Sequence, residues 1–122
     1  MSAGAVGDDP RLRAGIEHFA RAEWFEAHEI WEDLWRGLRG EDRLAVQALI
    51  QAAVALHHFE RGNVPGATAL HAAATAKLSL LGPERFGLDL EELAAGLDRR
   101  LAPLLRAGAV PGPLPVLRRM PK

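Results

Sequence analysis

The sequence contains no cysteine, which excludes disulfides, thiolate metal sites and a cysteine nucleophile. It also lacks a long apolar run. The longest, Ala52 to Leu56, falls far short of the ~20 residues that a membrane-crossing helix needs. Met1 to Gly7 is small and apolar but has neither the basic start nor the extended apolar core of a secretory signal. These absences set the expectation of a cytoplasmic protein with no membrane partner. No charge of one sign dominates: the formal net charge is −1, so nothing draws the chain globally to nucleic acid, and a nucleic-acid partner is disfavoured. No strand candidate, no internal repeat and no Gly-rich phosphate loop are legible. The chain also shows no Ser-His-Asp arrangement and no H-x-E with cysteine ligands.

What is present is a chain of 122 residues, the size of one domain with one hydrophobic core. The periodicity predicts an all-α fold: a single-domain array of about five helices over residues 9–106. A flexible start at 1–8 and an extended Pro/Gly-rich tail at 107–122 flank it. Asp9-Pro10 opens the first helix as N-cap and first helical residue, with Leu12, Ile16 and Phe19 as its apolar stripe. The next stripe is Trp24, Ala27, Trp31, Leu34, Trp35 and Leu38, rotated by roughly 90° from the first at 100° per residue. One straight helix would aim its halves at different neighbours, so a break is expected near Arg21 to Glu23. Gly37 and Gly40 are read as the end of the second helix, in left-handed caps.

The third helix, about Glu41 to Arg61, is apolar around most of its circumference and is therefore central. Asn63 and Pro65 start a fourth helix that Gly82-Pro83 stops. Asp89 and Glu92 form a capping signal for a last helix, which Pro103 should kink or end. Residues 17–42 hold eight acids and residues 93–122 hold six bases. The basic tail is accordingly expected to lie across the acidic helix of its own or a partner chain.

Polar residues interrupt two apolar faces. On the second helix His28 and Glu32 border the tryptophan stripe, with Glu29 turned further toward solvent. On the third, Gln47, Gln51 and His58 make one narrow stripe at offsets of four and seven. Unpartnered burial of such groups costs roughly 1–3 kcal/mol each, so the two polar edges should face each other or water. One reading is a register-setting network or interaction module with no catalysis. The other is a site for a divalent metal ion or small ligand. His28, Glu32 and His58, with Glu29 optional, would then supply an open ligand set able to activate water for hydrolysis. The H-E-x-x-E string at 28–32 has no second histidine of the metalloprotease kind. Trp24, Trp31 and Trp35 belong first to the core, but three such rings exceed what five helices readily cover, so part of that face is expected to meet a second copy or a protein partner. His57 reads as a core or interface residue, His18 as a helix-dipole complement and His71 as a surface residue.

The string Phe25-Glu26-Ala27-His28-Glu29-Ile30-Trp31-Glu32-Asp33-Leu34-Trp35-Arg36 resembles the signature of the bacterial and archaeal family catalogued as domain of unknown function 309. A second block resembles it too: Gln47, Leu49-Ile50-Gln51, Ala55-Leu56-His57-His58 and Arg61-Gly62-Asn63, with Gly66-Ala67 beyond. The resemblance spans about residues 18–81. It implies a compact helical protein and supplies no activity, substrate or cofactor. It implies that Glu26, His28, Glu29, Glu32, Trp35, Gln47, Gln51, His58, Gly62 and Asn63 are motif positions. Ala48 and Ala22 depart from the pattern: glycine often follows the first glutamine, and relatives favour glycine or a polar residue at the turn.

Overall fold

A computed structural model describes residues 6–120. The fold is mostly helical: α1 (Pro10–Ala20), α2 (Trp24–Trp35), α3 (Gly40–Glu60), α4 (Val64–Leu81), α5 (Leu90–Arg100) and the short α6 (Ala102–Leu105). Between α4 and α5 lies a feature the sequence reading did not foresee, a two-stranded antiparallel hairpin of β1 (Glu84–Arg85) and β2 (Leu88–Asp89). Its strands are two residues long, too short for any alternation to register in sequence. Phe86 and Gly87 both have positive φ, 57° and 76°, the backbone of a tight hairpin turn. The main helix contacts run between successive helices, α1 on α2, α2 on α3 and α3 on α4.

Asp9 accepts a hydrogen bond from the Arg11 backbone N–H at 2.8 Å, and Pro10 follows as the first helical residue. The Arg11 guanidinium then bridges Asp9 at 3.0 Å and Asp33 on α2 at 3.2 Å. Its hydrogen bond to Asp9 holds that carboxyl below the usual aspartate range. Val6, placed by the sequence in a flexible start, is buried in the core; Met1–Ala5 lie outside the described residues. Trp31 fixes the distance between α1 and α2. It is fully buried and donates its indole N–H to the Leu12 carbonyl oxygen at 3.2 Å. Gly15 lies directly beneath it, where an added Cβ would sit 2.0 Å from Trp31 Nε1.

The break expected between α1 and α2 is a turn closed by hydrogen bonds from Ala22 and Glu23 back to the end of α1. Ala22, at φ 60°, takes the left-handed position that ends a helix. The Ala22 N–H bonds the Phe19 carbonyl at 3.0 Å and the Glu23 N–H bonds the His18 carbonyl at 2.9 Å. The same turn closes α3: Gly62 is at φ 76°, its N–H bonds Phe59 at 3.1 Å, and the Asn63 N–H bonds His58 at 2.9 Å. The two turns stand forty positions apart, and the match extends along both hairpins. His18, Phe19 and Arg21 recur as His58, Phe59 and Arg61, while the buried Ala27, Trp31 and Leu34 correspond to the buried Ala67, His71 and Ala74. The chain therefore contains an internal repeat, two helical hairpins stacked in order, contrary to the expectation of none. Few side chains are identical between the copies; what they share is the turn geometry and the burial of these inward positions.

Other expectations are corrected. His71 is buried, not on the surface, because it fills the position of Trp31 in the second hairpin and donates from Nε2 to Asp98 at 2.8 Å. Gly40 has the left-handed backbone but opens α3, while Gly37 has no positive φ. Within its own chain, the described part of the tail does not cross the acidic helix. It runs along α5, with the Gly112 N–H on the Arg99 carbonyl at 2.8 Å. It then meets the hairpin, where Asp89 N–H bonds the Arg118 carbonyl at 2.9 Å and Met120 N–H bonds Gly87 at 2.7 Å. Arg85 reaches the acids opening α3 instead, Glu41 at 3.1 Å and Asp42 at 2.9 Å.

Two substitutions test this frame. Gly15→Ala should lower stability by about 1–3 kcal/mol in urea unfolding, because displacing Trp31 is an overpacking cost that outweighs the ~1 kcal/mol alanine normally gains within a helix. Unchanged or raised stability would show that Trp31 does not rest on Gly15. Ala22→Gly should raise stability by about 0.5–1 kcal/mol, since a Cβ in the left-handed region costs roughly 1–2 kcal/mol and glycine's greater unfolded-state entropy returns part of the gain. A loss would contradict the left-handed turn.

Candidate functional site

The antiparallel packing of α2 and α3 sets the first turns of α2 beside the last turns of α3. A cleft of about 270 Å³ opens there, lined by Trp24, Phe25 and His28 from α2 and by Val54, His57 and His58 from α3. Trp24 forms the closed end. It is 2% exposed, packs edge-on against Phe19 with ring centroids 4.8 Å apart, and donates its indole N–H to Glu60 at 2.7 Å. Phe25 is half-exposed and lies between two imidazoles, 5.0 Å from the His28 centroid and 5.6 Å from that of His57. His57 and His58 are neighbours in sequence with ring centroids 6.2 Å apart. Three histidines and two aromatic rings therefore share one small, mostly apolar cleft.

Two of the three imidazoles, His28 and His58, have one nitrogen committed. His28 Nδ1 lies 2.8 Å from the Phe25 carbonyl oxygen. A carbonyl only accepts, so Nδ1 carries the proton and neutral His28 has its lone pair on Nε2. His58 is held in the opposite sense. The Gly66 backbone N–H donates to Asn63 Oδ1 at 3.0 Å, which fixes the amide so that Nδ2 faces His58 Nδ1 at 3.2 Å. An amide N–H only donates, so His58 Nδ1 accepts and neutral His58 carries its proton on Nε2. Gly66 makes this possible: a Cβ there would meet Asn63 Nδ2 at 2.7 Å and His58 Cδ2 at 3.0 Å. The α4 N-cap thus also orients a side chain of the cleft.

The other polar residues singled out in the sequence are placed elsewhere. Glu32 forms an ion pair with Arg36 at 3.5 Å, and Glu29 is exposed. Gln47 and Gln51 are half-buried, and Gln51 Oε1 is buried without a hydrogen-bond partner. Among the described residues no hydrogen bond joins His28, Glu32, Gln47, Gln51 and His58 to one another, and no three His, Asp or Glu side chains gather as a metal-holding group. His28 and His58 share the cleft, whereas Glu32 does not line it, so the three-residue ligand set is not assembled. Of the tryptophan face, Trp24 and Trp31 are buried within their own chain, and Arg43 stacks on Trp35 at 3.7 Å. His57, Phe25 and Trp24 belong to the cleft but were absent from the candidate polar cluster. The antiparallel pairing of adjacent helices was the signal that could have joined them to it.

The model of the family described as domain of unknown function (DUF309) matches residues 12–70. Residues 12–70 belong to the DUF309 family. The DUF309 segment includes both left-handed turns, all six residues of the cleft, and Asn63 and Gly66. The hairpin, α5 and the tail lie beyond the match. The chain is also 34% identical over 85 residues to an uncharacterized protein of Aquifex aeolicus (strain VF5), an alignment covering 65% of this chain. The alignment spans only 24% of that relative's length, so this chain corresponds to part of a longer protein there. No described helix is long and apolar enough to cross a membrane.

Proposed function

We propose that this protein is a small-molecule-binding module whose site is the cleft between α2 and α3. One observation carries the reading: His28, His57 and His58 gather with Trp24 and Phe25 around about 270 Å³ of space. Concave, largely apolar sites with a few placed polar groups are the usual form of small-ligand pockets. A register-setting network would bond its members across the helices, yet His28 and His58 bond locally, to the preceding turn of α2 and to the cap of α4. Glu32 does not line the cleft and pairs with Arg36, and among the described residues no three His, Asp or Glu side chains gather, which argues against metal-assisted hydrolysis.

The test is an amide-detected NMR titration with acetophenone, an uncharged aromatic probe. Saturable shifts confined to residues 24–28 and 54–58 are the expected result. Val54→Phe, which fills the cleft from its α3 wall, should weaken binding at least about tenfold, or ~1.4 kcal/mol. Shifts that fail to saturate, or that Val54→Phe leaves unchanged, would remove the cleft as a binding site.

A further inference from the structure

Building on the ligand-binding reading of the cleft, we infer that it selects uncharged aromatic carboxamides, compounds joining a planar ring to a group that both donates and accepts a hydrogen bond. The inference rests on the opposed protonation of its two outer histidines. His28 has Nδ1–H tied to the Phe25 carbonyl at 2.8 Å and leaves Nε2 as an acceptor. His58 has Nδ1 occupied by Asn63 at 3.2 Å and leaves Nε2–H as a donor. Both side chains line the same cleft. A carboxamide answers both at once, its N–H₂ toward His28 and its C=O toward His58. An acceptor-only carbonyl leaves His28 unanswered, and a donor-only amine leaves His58 unanswered. Each unmet polar group in a desolvated site costs affinity. The ring is accommodated by the aromatic wall of Trp24 and Phe25.

The fixed tautomer of His58 is the specific element, and Asn63 is its positioning residue. The first hairpin shows what a carboxylate does at this place. Glu23 stands where Asn63 stands in the second, and its Oε1 lies 2.7 Å from Nδ1 of His18, the counterpart of His58. A carboxylate there requires Nδ1–H, the reverse of the arrangement at His58. Asn63→Asp should therefore reverse the His58 tautomer while keeping the helix cap, because aspartate is as good an N-cap as asparagine and one oxygen still accepts from Gly66.

The experiment compares benzamide, acetophenone and aniline, all uncharged, by NMR titration at about pH 8.5, above the ordinary histidine range. The wild-type chain should bind benzamide at least about tenfold more tightly than either of the others. In Asn63→Asp both His28 and His58 present acceptors, so benzamide and acetophenone should lose affinity relative to aniline, with the thermal midpoint within a few degrees of wild type. Comparable wild-type affinities for the three probes would overturn the carboxamide assignment while leaving the cleft a binding site. A benzamide preference that persists in Asn63→Asp would overturn the role of the His58 tautomer. Failure of all three to bind would remove the binding reading itself, and the inference with it.

Discussion

The arrangement depends on one backbone constraint, a left-handed residue that ends a helix, satisfies its last carbonyls and sends the next helix back alongside it. Ala22 and Gly62 do this forty positions apart with the same pair of hydrogen bonds. Each turn returns orphaned helix-end carbonyls to protein partners instead of leaving them to water. The antiparallel course this imposes brings Trp31 of α2 onto Gly15 of α1. Stacking the second hairpin on the first then places the start of α2 beside the end of α3. The cleft follows from that stacking, since its two walls come from different hairpins and neither hairpin contains it alone.

The second turn has a further consequence that the first lacks. In the first hairpin the residue after the left-handed position is Glu23, bound to His18 beside a well-filled interior. In the second it is Asn63, which caps α4, accepts from Gly66 and donates to His58. A residue whose structural duty is to start a helix therefore also determines which nitrogen a cleft imidazole presents. Gly66 belongs to the same device, because a larger residue would displace both Asn63 and His58. Secondary-structure punctuation and site chemistry are here one set of contacts.

Much of the frame was legible because caps and apolar periods act locally. Asp9-Pro10, Asn63 and Asp89 cap the helices they were expected to cap, and the rotated stripe marked the break at Ala22. Angular position shows which face a residue occupies but not its level along a neighbour. Gln47 and His58 share a stripe on α3, yet eleven residues at 1.5 Å each separate them by about 16 Å. Against an antiparallel α2, His28 falls level with the His58 end, and Glu32 lies a turn toward the other. The polar cluster expected as one unit was thus divided by distance along the helix axis. The internal repeat was hidden because equivalent inward positions hold unlike residues, Trp31 against His71 and Leu34 against Ala74. Such pairs keep burial but not chemistry. His71 was misread for the same reason: an imidazole beside alanines suggests solvent, whereas Asp98 arrives from a helix far along the chain.

The turn-and-cleft unit is tested most directly by long-range proton–nitrogen NMR correlation of the histidine rings in the wild-type chain at high pH. The expected pattern is Nδ1–H for His28 and Nε2–H for His58, two opposite tautomers within one cleft. The same tautomer on both rings, or rapid exchange at His58 between its two forms, would contradict the hold of Asn63 and the organisation of the cleft around it.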